Sequence, residues 1–279
     1  MTIKKGQWLD NDTQDVLYPQ TSYDMVEGAI PQDNLLTNSD FRSGIINQKG
    51  ETSYSYSGTG GKLTIDMWIS YGVNVGIEMD TIRIINRDTT EHTLRQKMSK
   101  AYPNQVYTVA VQVASVTGDV YINFNNETAT NQKLKVGLNV FQITPVSTFG
   151  EFSFLLKANA EIKFNYAKVE PGSFFTGMPL WNKAIELLKC MGYSQKLYRT
   201  TIYTTSASGV TYFIPKGLYI PMINKPKIEL IEILNSSAQP QSVTIKSSVV
   251  EKDGVVNITL SGSIGQYGYI TCYFDGNNY

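Results

Sequence analysis

Residues 167–198, AKVEPGSFFTGMPLWNKAIELLKCMGYSQKLY, hold the one helical pattern in a sequence that otherwise alternates like β-structure. Trp181, Ala184, Leu188 and Met191 recur at helical three- and four-residue spacings. Pro179 suits a first turn, and Gly192 sits where a C-terminal cap belongs. A helix of little more than three turns is too short to stand alone in water. Its apolar stripe therefore needs a partner, either a neighbouring domain or copies of itself from other chains. The second option makes residues 179–195 an oligomerisation collar.

Working outward, both flanks read as β. Upstream, residues 34–178 form one expected domain. In KLTIDMWIS, Leu63, Ile65, Met67 and Ile69 fall on one face of an expected strand, and Thr64, Asp66, Trp68 and Ser70 on the other. VNVGIEMD places Val73, Val75, Ile77 and Met79 together. Further alternations run through TIRII, VYTVAVQV, DVYINFN, NVFQI, EFSFLLKA and EIKFNYAKV, while residues 47–61 read as a polar loop. No helical segment intervenes, which excludes a parallel βαβ sheet and favours an antiparallel sandwich of jelly-roll type.

Downstream, residues 196–279 carry six expected strands, LYRTTIYTT, VTYFIP, KIELIEI, SVTIKSSVV, VVNITLSG and YITCYF. They are separated by turn signals, among them Asp253-Gly254 in a hairpin. In the last strand Ile270, Cys272 and Phe274 read as core, and Tyr269, Thr271 and Tyr273 as an exposed or inter-chain face. At the other end, residues 1–33 have thin, scattered apolar content and a weak signal for a short helix at 22–28. They read as an attachment segment that lies on a partner.

Composition narrows the function classes. Formal net charge is zero, which gives no electrostatic case for nucleic acid or an anionic membrane. No apolar run approaches 18 residues, so no membrane insertion is expected. The first 15 residues lack an apolar signal-peptide core, so synthesis in a cytoplasm is expected, with release by lysis or by assembly into a particle. Cys190 and Cys272 lie in different halves and read as small buried hydrophobes rather than a disulfide framework. The 18 tyrosines, with many Asn, Thr, Ser and Gly, suit β-sheets with polar loops and contact surfaces for sugar or protein.

Catalytic constellations are sparse. His92 is the one histidine, in a polar context read as a loop, and no G-x-S-x-G elbow surrounds any serine. No Cys/His pair has metal-ligand spacing, and Asp10, Asp12 and Asp15 lack the Gly and terminal Glu of a calcium loop. The glycines of GTGG at 58–61 are not followed by a helix with a lysine. Glu78 and Asp80, near Asp66, are the paired carboxylates a glycosidase would need, against a solvated-surface reading. No metal and no cofactor is expected. For binding, Asp66 and Trp68 share a polar face, where an indole stacks on sugar C–H groups and a carboxylate accepts from hydroxyls. The alternative is that Trp68 packs beneath a loop or in an interface. Tyr267, Tyr269, Tyr273 and Tyr279 form a second cluster beside Gly265, Gly268, Asn277 and Asn278, either as a recognition surface or as a trimer seam.

These residues resemble a family. NLL-x-N-x-DF at 34–41 and TIDMW at 64–68 are similar to strands of the carbohydrate-binding-module-like jelly rolls of bacteriophage tail proteins. Leu94, Gln96 and VYTVAVQV resemble a further segment of those modules, and KVEPGSFFT at 168–176 their closing strand. ELLKCMGYSQKLY at 186–198 resembles the helix that follows in tail fibre and receptor-binding proteins, and FIPKGLYIPMINKPKIEL the strand entering the tip domain. DVLYPQTSYDMVEG at 15–28 resembles a linker of phage tail proteins from Gram-positive hosts. Met67 and Gly192 stand where arginines are common in the family. The resemblance implies a homotrimer in the virion tail tip or baseplate. It also implies contacts with other tail proteins through residues 1–33 and non-enzymatic attachment to host cell-surface carbohydrate. The rival expectations are a structural fibre spacer and a glycan-degrading tailspike.

Overall fold

A computed structural model of the chain describes residues 2–4, 7–9, 16–17, 31–42, 44–56, 58, 60–125, 127–180, 182–191, 194–204, 211–214, 227–250, 256–265 and 267–275. The expected helix at 22–28, the acidic cluster Asp10, Asp12 and Asp15, Trp181, Gly192, Tyr279, Asn277, Asn278 and the Asp253-Gly254 turn lie outside the described residues. The structure is mainly β. In the N-terminal segment, β1 (Thr2–Lys4), β2 (Gln7–Leu9) and β3 (Val16–Leu17) pair with one another into a small antiparallel sheet, which the scattered apolar residues did not announce.

Twelve short strands follow: β4 (Ser53–Tyr54), β5 (Lys62–Leu63), β6 (Ile69–Tyr71), β7 (Asn74–Glu78), β8 (Thr81–Ile85) and β9 (His92–Ala101), then β10 (Tyr107–Thr117), β11 (Val120–Phe124), β12 (Gln132–Lys133), β13 (Gly137–Ile143), β14 (Phe149–Leu156) and β15 (Glu161–Pro171). They form two six-stranded antiparallel sheets, ordered β13-β10-β15-β8-β7-β4 and β12-β11-β14-β9-β6-β5. Successive residues alternate inward and outward, so each sheet lends one face to a shared core. This is the expected jelly-roll β-sandwich. Helix α1 (Lys183–Met191) leads to β16 (Ser194–Thr204), β17 (Thr211–Ile214), β18 (Lys227–Asn235), β19 (Ile245–Val250), β20 (Val256–Leu260) and β21 (Tyr267–Asp275). The six C-terminal strands pair into one sheet, β18-β21-β16-β17-β20-β19. Ile202, Ile258, Ile270, Cys272 and Phe274 share its own apolar core, as alternation in the last strand implied.

One reading is corrected. KLTIDMWIS is not a strand but a hairpin: Leu63 pairs with Ile69, and residues 64–68 are the loop. Thr64 N donates to Trp68 O at 2.9 Å and Trp68 N to Ile65 O at 3.0 Å. Met67 stands in the left-handed region at φ 75°. Residues 63–70 are each at most 3 % exposed, so neither set of the apparent alternation faces water. Trp68 sits in the core against Phe152, Phe154 and Phe164, with ring centroids 5.9–6.3 Å away. A period of two fits a tight loop buried on every side as well as it fits a strand. Met79 is likewise misplaced by alternation: it lies in the β7–β8 turn, 97 % exposed.

Asn38 holds the buried loop. Its backbone is left-handed at φ 49°, which Asn tolerates better than most residues. Its Nδ2 donates to Ile46 O and Asp66 O, at 2.8 and 2.9 Å, and its Oδ1 accepts from Ile46 N at 2.9 Å. Its carbonyl accepts from Trp68 Nε1 at 2.8 Å, and its N donates to Glu186 Oε2 of α1 at 2.8 Å. Other residues of the family-like motifs are also polar clamps. Gln96 exchanges bonds with both backbone groups of Thr37, at 2.7 and 2.8 Å. Lys168 and Glu170, both fully buried, form a 2.8 Å ion pair, and both bond Thr176, so the closing strand ties down the segment that leaves it. Burial lowers the Lys168 pKa, with Glu170 pulling it back.

Helix α1 starts later than its sequence pattern, with Asn182 rather than Pro179 at its head. Asn182 Oδ1 accepts from Ala184 N and Ile185 N at 3.0 and 3.2 Å. The face turned to the sandwich carries Glu186, Leu187 and Cys190, whereas Ala184 is exposed, Leu188 is 55 % exposed and Met191 is half-buried. Cys190 and Cys272 are free, buried thiols, and burial raises both pKa values, that of Cys272 to about 12.

Trp68→Ala is expected to lower unfolding stability by about 3–5 kcal/mol, from lost packing and a cavity. Asn38→Ala is expected to cost at least about 2 kcal/mol by stranding buried backbone groups. Denaturant unfolding of each variant checks both.

A joint and an open groove on the sandwich face

Three of the residues singled out for sugar binding, Asp66, Trp68 and Tyr273, are buried and have a different task. Asp66 is fully buried and joins the sandwich to the C-terminal sheet: Tyr273 of β21, itself 0 % exposed, donates to Asp66 Oδ1 at 2.6 Å. Gln48 N donates to Asp66 Oδ2 at 3.1 Å. The Tyr273 ring packs on Leu63, Ile69 and Tyr71, with Lys49 Nζ 5.0 Å from its centroid. Lys196 of β16 adds Nζ–H to Lys49 O at 3.2 Å. Asp66, Trp68 and Tyr273 are therefore brought together inside the molecule and form no surface platform. A fully buried indole whose N–H is already bonded to Asn38 cannot stack on a sugar.

Desolvation pushes the Asp66 carboxyl above its ordinary range, against the lowering effect of Tyr273, Gln48 and Lys49. A carboxyl raised on folding binds more protons in the folded state. Its stabilising contribution is complete below the unfolded value, about 4, and is lost as pH rises through the raised folded value.

The remaining tip tyrosines stay near the surface. Tyr267 is 40 % exposed and Tyr269 half-buried. Tyr203 on β16 pairs directly with Tyr267 and is 50 % exposed, a neighbour that the sequence reading did not single out because it lies 64 residues away.

The outer face of the β12-β11-β14-β9-β6-β5 sheet holds a groove of about 420 Å³, lined among others by Tyr71, Thr93, Arg95, Asn123, Leu155 and Lys157. Three register pairings run across this stretch of the sheet. Asn123 on β11 faces Ser153 on β14, Ser153 faces Arg95 on β9, and Leu155 faces Thr93. Arg95 Nε donates to Thr93 Oγ1 at 2.7 Å, and its guanidinium lies 4.2 Å from the Tyr71 ring centroid. Asn123 is 2 % exposed and Ser153 0 %, yet Asn123 Oδ1 and Ser153 Oγ have no hydrogen-bond partner among the described residues. Buried polar atoms are nearly always paired, so the unpaired Asn123 Oδ1 of the groove lining, with Ser153 Oγ on the neighbouring strand, marks the place out. Sequence reading assigned DVYINFN to a strand but had no signal for Asn123, since any polar residue fits an outward position.

The candidate carboxylates are engaged elsewhere. Glu78 pairs with Lys163 at 2.9 Å, and Asp80 lies in the turn after β7 rather than beside it on the strand. His92 opens β9 rather than lying in a loop, and its Nε2 is 3.1 Å from Asp88 Oδ2. Among the described residues no group of three or more His, Cys, Asp or Glu is placed to hold a metal ion.

No protein family and no curated protein matches the chain. Solved structures of family 29 carbohydrate-binding modules are similar to part of it. A mutant studied for ligand recognition aligns with a TM-score of 0.31 at 12 % identity, over 45 % of this chain and 86 % of that one. A mutant complexed with mannohexaose gives 0.29 at 12 %, over 45 % and 92 %. A further structure of the module gives 0.29 at 12 %, over 45 % and 89 %. TM-scores this low transfer neither fold nor ligand, and the sandwich assignment rests on the chain's own strand pairing.

Asp66→Asn removes the ionisable group and keeps an acceptor for Tyr273. The melting temperature of wild type relative to Asp66→Asn is expected to fall as pH rises from about 4 to neutrality. Paired thermal melts across that range check it; a pH-independent difference would show that Asp66 does not titrate in the joint.

Proposed function

We propose that this chain is a non-enzymatic receptor-binding protein of a bacteriophage tail, a homotrimer that attaches the virion to host cell-surface glycan. The observation that carries glycan binding is the groove lined by Tyr71, Asn123 and Leu155. It combines the unpartnered Asn123 Oδ1, an aromatic wall at Tyr71 and apolar Leu155, the mixture a ring with C–H faces and hydroxyls requires. The tail assignment is supported by the ordered motifs between residues 15 and 230, whose clamp residues Asn38, Gln96, Lys168, Glu170 and Thr176 each have a structural task.

Trimer formation is supported by the outward apolar side of the collar. Ile185 and Leu188 are 52 and 55 % exposed, and the preceding Leu180 is fully exposed. Three chains meeting there would cover this surface and hold three grooves at fixed spacing. Individually weak sites then act together through effective concentration. Residues 1–33 would contact other tail proteins in this arrangement.

Light scattering is expected to return three times the 31.1 kDa chain mass. Leu188→Glu is expected to shift it toward one chain mass with the circular-dichroism spectrum unchanged. Purified wild type should decorate host cells and bind their surface polysaccharide without releasing reducing ends. A trimer that binds neither would be a fibre spacer instead, and release of reducing ends would mark a tailspike.

A further inference from the structure

We infer that the groove takes an uncharged oligosaccharide lying across the strands, and not an acidic one. This rests on the glycan-binding reading and adds the class of sugar.

The first argument is charge. Each basic side chain facing the groove already has a carboxylate: Arg95 with Glu151 at 3.2 Å, Lys157 with Glu91 at 2.5 Å, and His92 with Asp88 at 3.1 Å. A uronic acid or a sugar phosphate would have to break one of these pairs and would meet the displaced carboxylate, with Glu91 itself on the groove wall. Like charges at such range oppose binding.

The second argument is donor and acceptor balance. Asn123 Oδ1, in the groove lining, needs a donor. A sugar hydroxyl both donates and accepts. An ionised carboxylate or phosphate group only accepts, so the charged group of an acidic sugar cannot itself serve Asn123 Oδ1. A buried polar atom left unpaired is destabilising, a penalty that a hydroxyl relieves once the Asn123 amide turns toward it.

The third argument is direction. Asn123, Ser153 and Arg95 are register partners on three successive strands, which lie about 4.8 Å apart. A pyranose ring spans about one such step, so a chain running across the strands sets successive rings over successive strands. Tyr71 closes one end and Thr128 lines the other. The groove therefore accommodates a short run of rings, not a long polymer along its length.

The test is calorimetric titration of the full chain with neutral hexasaccharides, mannohexaose and cellohexaose among them, and with acidic ones, hexagalacturonate and sugar phosphates. Each is run at low and high salt. The expected result is that a neutral sugar binds tightest and that its affinity is indifferent to salt. Asn123→Ala is expected to weaken that binding at least ten-fold while leaving the melting temperature unchanged or higher, because the atom removed has no partner to lose. A loss of binding with no loss of stability separates ligand contact from a structural role. Tightest binding by an acidic sugar, a salt-weakened affinity, or full affinity in Asn123→Ala would each overturn the inference while leaving glycan binding intact. Absence of binding to every sugar of either class takes down the glycan-binding reading itself.

Discussion

The hydrogen bonds of Asn38 are the constraint on which much of the sandwich depends. A loop of five residues, Thr64 to Trp68, is packed inside the protein, where water cannot serve its polar groups. Asn38 meets that requirement from outside the loop: it bonds the Asp66 carbonyl and the Trp68 indole, and its backbone N–H reaches Glu186 on the helix. One residue, through its side chain and its backbone, thus joins the entry segment, the aromatic core and the helix. With the loop in place, Trp68 fills the space among Phe152, Phe154 and Phe164, and the Asp66 carboxylate is left facing the C-terminal sheet.

That geometry makes the joint between the two β-parts a consequence of the core. Tyr273 reaches Asp66 only because the hairpin loop holds the carboxylate still, and its ring covers Leu63 and Ile69 on the outer face of the sheet. The groove begins where this cover ends. Tyr71 belongs to both, packing beside the Tyr273 cluster on one side and lining the groove under Arg95 on the other. The C-terminal sheet thus borders the groove through Tyr71 without lining it.

The buried pair Lys168–Glu170 shows a related economy. Two opposite charges two residues apart on β15 point to the same outer side of the sheet and are covered by residues 173–177. Removed from water, they are tolerable only because Thr176 and Gly177 complete their hydrogen bonds. The return is positional: the chain leaves the sandwich along one fixed path and delivers the helix to its place, with its Cys190 in the core and its Leu187 packed against it.

Several features were legible in the sequence because they depend on local periodicity. The strands of TIRII, VYTVAVQV, EIKFNYAKV and YITCYF, the antiparallel sandwich and the single linking helix all follow from which residues can share a face. The tertiary structure alone decided what the polar residues do. Alternation could not tell the strand KLTIDMWIS from a buried loop, because a residue surrounded by protein on all sides has no solvent face to betray it. Nor could it place Asp66 against Tyr273, 207 residues away, or set Asn123 beside Ser153 and Arg95, since register between strands is settled by long-range packing. Periodicity reports which side of an element is apolar; what a polar side chain meets there depends on segments that only folding brings together.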